Sequence, residues 1–510
     1  MNLYRKSCST VILILSIWTI TAPTLSAQNG FWLKSDFHIH TTMSDGDVSP
    51  KQIAKNAFEN YGLDAIAITD HGGHFFRVHD NFLRTDDKGN IFSIRNYDSL
   101  MATDAKRFKN FSRSNQLIEN SFPEVERLRN AYPNKLIIQG IELNVPGHDH
   151  ACVGIISETA APISDFQFIF DRNDTLKSFN NIFEKQNKNA HKNALAALSY
   201  LQKNFANDSY FIVNHPSRKL QYKIEEIRDF INVSPTVTVG FEGLPGHQKM
   251  SGNRCKYDYE LGDKANYHSK TYGGAYFMLA KIGGGWDALL GEGRKFWVFA
   301  NSDFHRASED NWPGEYSKNY LWVQDKSYKS LLAGMKSGKI FVANGNLISE
   351  LDFSTESNNA KAGMGETLIV NRNSTVTVKI SFKTSDEMNT SAAKLDHVDL
   401  ICGEVTGLIS PGSSEYINPT NPSTKIEKQF FKSDWRTEGN YSSFSYEIKV
   451  DKSKYIRLRG TNIPLNTINE SDVNGNPLCD ILVGKNDSRA AWKDSWFYSN
   501  PIFVEVTKNN

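Results

Sequence analysis

Five short segments of this chain concentrate side chains that can bind a metal ion. The first is Asp36-Phe37-His38-Ile39-His40, with Asp45 close behind. The others are Thr69-Asp70-His71, Gly140-Ile141-Glu142, Asn214-His215-Pro216 and Asn301-Ser302-Asp303-Phe304-His305. Residues at i and i+2 of a strand point to the same face, so His38 and His40 can reach one ion, and Asp303 and His305 share that spacing. Imidazole mixed with carboxylate suits Zn²⁺, Mn²⁺ or Fe rather than Ca²⁺. A carboxylate can also bridge two ions, and a cluster of two or three divalent metals acidifies bound water and clamps the attacking and leaving oxygens of a hydrolysis. A lone strand-end histidine is more often structural. Five such ends in one chain are a site.

Other residues extend the pattern. Arg218 follows His215-Pro216-Ser217, and Arg306 follows His305. Either could grip a phosphate bidentately or sit in a surface salt bridge. Asp70, or a histidine that is not a ligand, could deliver a proton to a leaving group. Glu242 and His247 follow an apolar run and are candidates for the substrate side of the pocket, or for a turn at its rim. Gly283-Gly284-Gly285-Trp286-Asp287 lacks the Lys-Ser/Thr ending of a phosphate loop and reads as a flexible connector.

The elements around these segments alternate. Apolar runs at 64–69, 135–141, 210–213, 237–241 and 295–300 read as buried strands. A helix is expected near Ser49–Tyr61, with Ser49 as cap and Pro50 in the first position, and another over His191–Asn204. This is the layout of a parallel α/β barrel, in which functional side chains gather at the C-terminal strand ends. After about residue 346 the pattern changes to period-two alternation, as at 375–382, 444–450, 455–460 and 501–506, which reads as a β-sandwich. The stretch from Phe75 to Ser114 reads as an insertion near the site.

With those residues in view, the chain resembles the PHP (polymerase and histidinol phosphatase) family of metal-dependent phosphoesterases. The resemblance runs from about residue 35 to 345 and rests on His38-Ile39-His40-Thr41-Thr42-Met43-Ser44-Asp45-Gly46 and the four later segments. It implies a distorted (β/α)₇, TIM-like barrel with up to three metals, Zn, Mn or Fe. His38, His40, Glu142 and Asp303 would hold one metal, and Asp45, His71 and His305 a second. Glu142 would bridge to a third, held with His215 and one more histidine. His150, just before a short apolar strand, is favoured for that place, and His148 is the fallback or touches substrate. A looser resemblance, at Tyr498-Ser499-Asn500-Pro501-Ile502-Phe503-Val504, is to the exported branch of carbaryl-type ester and carbamate hydrolases (CehA/McbA-like).

The bulk numbers frame these readings. At 510 residues, two domains are expected: a barrel over 28–345 and a β-sandwich-like domain over 346–510. A net charge of +1 offers no global field for a nucleic-acid polymer. Arg5 and Lys6, the apolar run Val11–Trp18 and the ending Leu25-Ser26-Ala27 have the layout of a cleaved signal peptide over 1–27. That run is short for a membrane anchor, and no later stretch is long and apolar enough to span. A secreted or periplasmic protein is expected. Cys402 and Cys479 could pair, or the mature cysteines are buried thiols. The expected activity is hydrolysis of a small-molecule ester, a phosphate ester first and a carboxylic ester, amide or carbamate second. A non-catalytic metal- or glycan-binding protein is the third reading, and the complete ligand set argues against it. For the β domain, a structural lid or dimer surface is favoured over carbohydrate recognition.

Overall fold

A computed structural model describes residues 30–77, 109–175, 183–246, 267–384, 394–480 and 495–507. The expected signal peptide, the centre of the 75–114 stretch, His247 and Cys255 lie outside the described residues.

Six strands run in one direction. They are β1 (Phe31–Asp36), β2 (Ala65–Ile68), β3 (Leu136–Asn144), β5 (Ser209–Val213), β6 (Thr238–Pro245) and β7 (Trp297–Asn301). The strand between the third and fourth of these, β4 (His150–Ile155), is antiparallel to both its neighbours. The others pair in parallel, β1 with β2, β2 with β3, β5 with β6 and β6 with β7. The sheet closes through a parallel bridge between Ile39 and Phe304, where the His40 N–H donates to the Phe304 carbonyl at 2.9 Å. β3 is buried along its whole length, as a strand packed on both faces must be.

The helices form where their caps and periodicity place them. Ser49 Oγ accepts the Gln52 N–H, opening α1 (Pro50–Lys55), which widens into a π turn over Asn56–Asn60. α2 (Phe122–Ala131) and α3 (Ala161–Phe170) follow. α4 (His191–Phe205) buries Ala194, Ala197, Leu198 and Leu201, one face at helical spacing. α5 (Ile224–Val233) comes next. The glycine run at 283–285 is no loose connector: a left-handed turn at Gly283 leads into α6 (Gly285–Gly291), and Asp287 accepts the Gly283 N–H at 2.8 Å. α7 (Tyr328–Ser337) ends on the left-handed Gly338.

The barrel sheet does not stop at the barrel. β1 pairs antiparallel with β8 (Ser317–Val323), and β8 with β9 (Ile340–Asn344). β9 then pairs with Trp496–Ser499, and the sheet runs on through Lys454–Thr461 and His397–Glu404 to Lys425–Phe431. A second antiparallel sheet, built on Ile348–Ser357, Ser374–Thr384 and Tyr441–Val450, packs against it. Val376, Val378, Ile380 and Phe382 meet Val398, Leu400, Ile456 and Leu458 in their shared core. So the C-terminal region is mainly antiparallel β, with one parallel pair between Thr367–Val370 and Ile502–Val506, and one sheet is continuous across residue 346. The buried Arg457–Asp287 pair joins the two regions bidentately at 2.9 and 2.8 Å. Cys402 and Cys479 are both free thiols, as is buried Cys152, so the pairing considered for Cys402 and Cys479 is not made. Among the described residues no helix is long and apolar enough to cross a membrane.

Candidate metal centre

The parallel strands deliver their C-terminal ends to one rim, and the five segments meet there. Antiparallel β4 joins them by a different route. It begins at the rim, because the turn 145–149 reverses the chain at the end of β3, and His150 is its first residue.

Glu142 is the hub. Its carboxylate lies 3.1 Å from His38 Nε2, 3.3 Å from His40 Nε2, 2.9 Å from His71 Nδ1, 3.1 Å from His150 Nδ1 and 3.1 Å from His215 Nε2. Asp303 Oδ1 stands 3.0 Å from His38 Nε2 and 3.2 Å from His40 Nε2. Asp45 collects the other side, within 3.3 Å of His40 Nδ1, 3.4 Å of His71 Nε2 and 3.3 Å of His305 Nε2. The donor atoms fall into four overlapping groups of metal-binding size: His38, His40, Glu142 and Asp303; His40, Asp45, His71 and His305; His38, His215 and Glu242; and His71, Glu142 and His150. His215 stands beside the last group through Glu142, its Nε2 3.8 Å from Asp303 Oδ2. Converging imidazole nitrogens and carboxylate oxygens are the donor set of Zn²⁺, Mn²⁺ or Fe, so the residues fit the metals expected of them.

The electrostatics match. Burial would raise the Glu142 carboxyl, but charge on His150, His71 and His38 outweighs it and holds it well below the carboxylate range. Burial also opposes ionised Asp45, and His71 with His305 hold it down. For His71, burial is outweighed by Asp45 and Glu142, which push it up to about 9. In His150 burial wins over Glu142, and the ring falls to about 4.

The backbone is bent to make this arrangement. His215 and Asp303 both adopt left-handed φ, 48° and 47°, which side-chain-bearing residues hold only when their surroundings demand it. Gly46 folds the 41–46 loop back so tightly that a Cβ there would stand 2.8 Å from the His40 backbone.

Several residues support the cluster from behind, and the sequence pattern does not show that role. Glu242 was a candidate for the substrate side, yet it is buried behind the histidines, its oxygens 3.1 Å from His38 Nδ1 and 3.1 Å from His215 Nδ1. A carboxylate there fixes which ring nitrogen faces the cluster. Tyr276 OH is 3.2 Å from His215 Nδ1. Asn214 donates to Glu142 at 3.0 Å, and Asp36 accepts the His38 and Ser302 N–H groups at 3.1 Å each. Burial pushes Asp36 up to about 7. Arg113, fully buried, donates to the Met43 carbonyl at 2.8 Å and pins the same loop. Of these, the sequence singled out Glu242, which ends an apolar run as Glu142 does, but not its place behind His38 and His215.

The three residues considered for catalysis are placed differently from the metal candidates. Asp70 is buried and accepts from the Thr41 N–H, the Thr41 hydroxyl and the Ser44 hydroxyl, at 2.8, 2.9 and 2.6 Å. A carboxylate so occupied holds the 41–46 loop. Arg218 forks onto Asp149 at 3.0 and 2.8 Å, with Nη2 3.3 Å from His150 Nδ1, so it stands at the rim. Arg306 pairs with Glu309 at 3.0 Å, the salt bridge weighed for it. His148 faces away from the cluster, 2.9 Å from His191.

Residues 36–249 match the model of the PHP domain family, so this stretch of the chain carries a PHP domain. Among solved structures, the chain is similar to a two-domain protein from Bacteroides vulgatus containing a predicted PHP-like metal-dependent phosphoesterase. The identity is 13% over 89% of this chain and 95% of that one, with a TM-score of 0.33. No curated protein matches the chain.

Proposed function

We propose that this protein is an exported metal-dependent hydrolase of small-molecule esters, and a phosphoesterase first. The observation that carries the reading is Glu142, a single carboxylate with five imidazoles within 3.3 Å. Divalent metals in such a cluster lower the pKa of water and stabilise charge on the attacked and leaving oxygens. His38, His40, Glu142 and Asp303 would hold one ion. Asp45, His71 and His305, sharing His40, would hold a second, and Glu142 with His150 and His215 a third. Glu242 keeps His38 and His215 in the tautomer that ligation needs. Arg218, oriented by Asp149, supplies positive charge at the rim beside His150 for an anionic substrate.

One observation favours a second reading. Both rim arginines are already paired, Arg218 with Asp149 and Arg306 with Glu309, so the cationic surplus that a phosphate dianion needs is reduced. The same centre would then attack the carbonyl of an ester or carbamate. The assay that separates the two offers a phosphomonoester, a phosphodiester and a carboxylic ester with Mn²⁺ or Zn²⁺. Phosphoester turnover is expected. Carboxylic-ester turnover alone would select the second reading. Export is tested by N-terminal sequencing of protein from the periplasm or medium, expected to begin at Gln28, and an intact Met1 start there would refute cleavage.

A further inference from the structure

Outside the Glu142 cluster, two more histidines meet. His148 is buried in the turn between β3 and β4, and His191 is the first residue of α4. His148 Nε2 lies 2.9 Å from His191 Nδ1. The other nitrogen of each ring is already committed. His148 Nδ1 is 3.0 Å from the Gln221 carbonyl, which can only accept, so that nitrogen carries the proton. His191 Nε2 is 3.1 Å from Asp229 Oδ2, and the Tyr416 hydroxyl donates to Oδ1 of the same carboxylate at 2.7 Å. In the neutral rings both facing nitrogens are therefore bare lone pairs. They repel across that gap unless a cation joins them.

The surroundings fit a cation. Each ring has its far N–H fixed by a carbonyl or a carboxylate, the arrangement that orients metal-ligating histidines. Tyr222 stacks on His148 with centroids 5.2 Å apart and planes at 5°, and Phe230 stacks on His191 at 5.6 Å and 21°. Glu226 stands alongside, its Oε2 3.6 Å from the protonated edge of His148 at Nδ1 and accepting the Lys223 N–H at 2.9 Å, which leaves Oε1 to turn towards the facing nitrogens. One donor atom from each of His148, His191 and Glu226 falls within a 4.8 Å span. The Glu226 and Asp229 carboxylates set two negative charges beside the two imidazoles, against one positive charge from Arg172, which donates to the His148 carbonyl, so the surroundings remain net negative.

We propose that His148, His191 and Glu226 hold a divalent metal ion, Zn²⁺ by its donor set, separate from the Glu142 cluster. Two imidazoles, a carboxylate and a water make a tetrahedral Zn²⁺ shell. The ion ties the 145–149 turn to the starts of α4 and α5. That turn leads directly into His150, whose carbonyl accepts the Tyr222 hydroxyl at 2.7 Å. The site is a staple beneath one edge of the catalytic rim.

The test uses the full chain, loaded with Zn²⁺, dialysed and assayed by elemental analysis. His191→Gln and Glu226→Gln are each made in the wild type and in a His38→Ala/Asp303→Ala background, with circular dichroism to check folding. Each substitution is expected to remove about one equivalent in both backgrounds, as loss of a ligand from a small Zn²⁺ shell should. Cobalt loading of the His38→Ala/Asp303→Ala protein gives a second readout, in which His191→Gln is expected to weaken the visible absorption of four-coordinate Co²⁺. Equal metal content and equal absorption with and without His191→Gln overturn the staple and leave the pair sharing a proton. Because each comparison is made within one background, the result stands whatever becomes of the Glu142 cluster.

Discussion

Without metal, the rings around Glu142 other than His150 hold protons that a metal must displace. His71, raised to about 9 against its ordinary 6.5, shows the sign. A raised histidine stabilises the fold fully below its unfolded pKa, and that contribution fades as pH rises through the folded value. Chelator-treated protein should therefore melt at progressively lower temperature from pH 6.5 to 9, and a melting temperature that climbs over that window would contradict the assignment. Ligation needs neutral imidazole, so adding Zn²⁺ to the metal-free protein near neutral pH should release protons into weak buffer. Glu242 is tested on the same scale. Glu242→Gln keeps the shape but weakens the hold on His38 and His215, and a loss of ~10–100-fold in metal affinity or turnover is expected. Wild-type affinity in that variant would remove Glu242 from the support of the site.

At the scale of elements, the strand ends carry the site, and the strands were legible because burial on both faces writes apolar runs into the sequence. Asp64–Thr69 and Lys135–Ile141 announced β2 and β3, and Asp70-His71 and Glu142 mark where those strands reach the rim. The reversal of β4 was not legible, since an apolar run has no direction. Yet that reversal separates the two candidate histidines. It puts His150 at the rim and leaves His148 in the turn, facing α4. The placing of Asp70 was hidden for a related reason: Asp70 and His71 leave the same strand end, but His71 turns to the cluster while Asp70 accepts from Thr41 and Ser44. Asp287 was hidden in a glycine run, because its partner Arg457 lies 170 positions away. Asp287→Ala would leave that guanidinium buried and unpaired, with an expected loss of ~3–5 kcal/mol by denaturant unfolding. A change below ~1 kcal/mol would mean that Arg457 finds another partner or water.

At the scale of the molecule, the barrel and the C-terminal sandwich share one sheet, and the C-terminal region reaches towards the site. Asp480 accepts the Gly273 and Gly274 N–H groups at 2.9 Å each, holding the hairpin that carries Tyr276 to His215. Period-two alternation made the sandwich readable, but the continuity of the sheet past residue 346 depends on long-range pairing that no local pattern encodes. The central claim is that the residues around Glu142 form a metal centre that performs hydrolysis. Its most direct test is the metal content of the purified full chain, compared with the His38→Ala/Asp303→Ala variant, alongside turnover of each. The account predicts at least two divalent ions per wild-type chain that are lost together in the variant, with turnover abolished and the fold retained. A variant that keeps the wild-type metal content and rate, or a wild type active without metal, would contradict it.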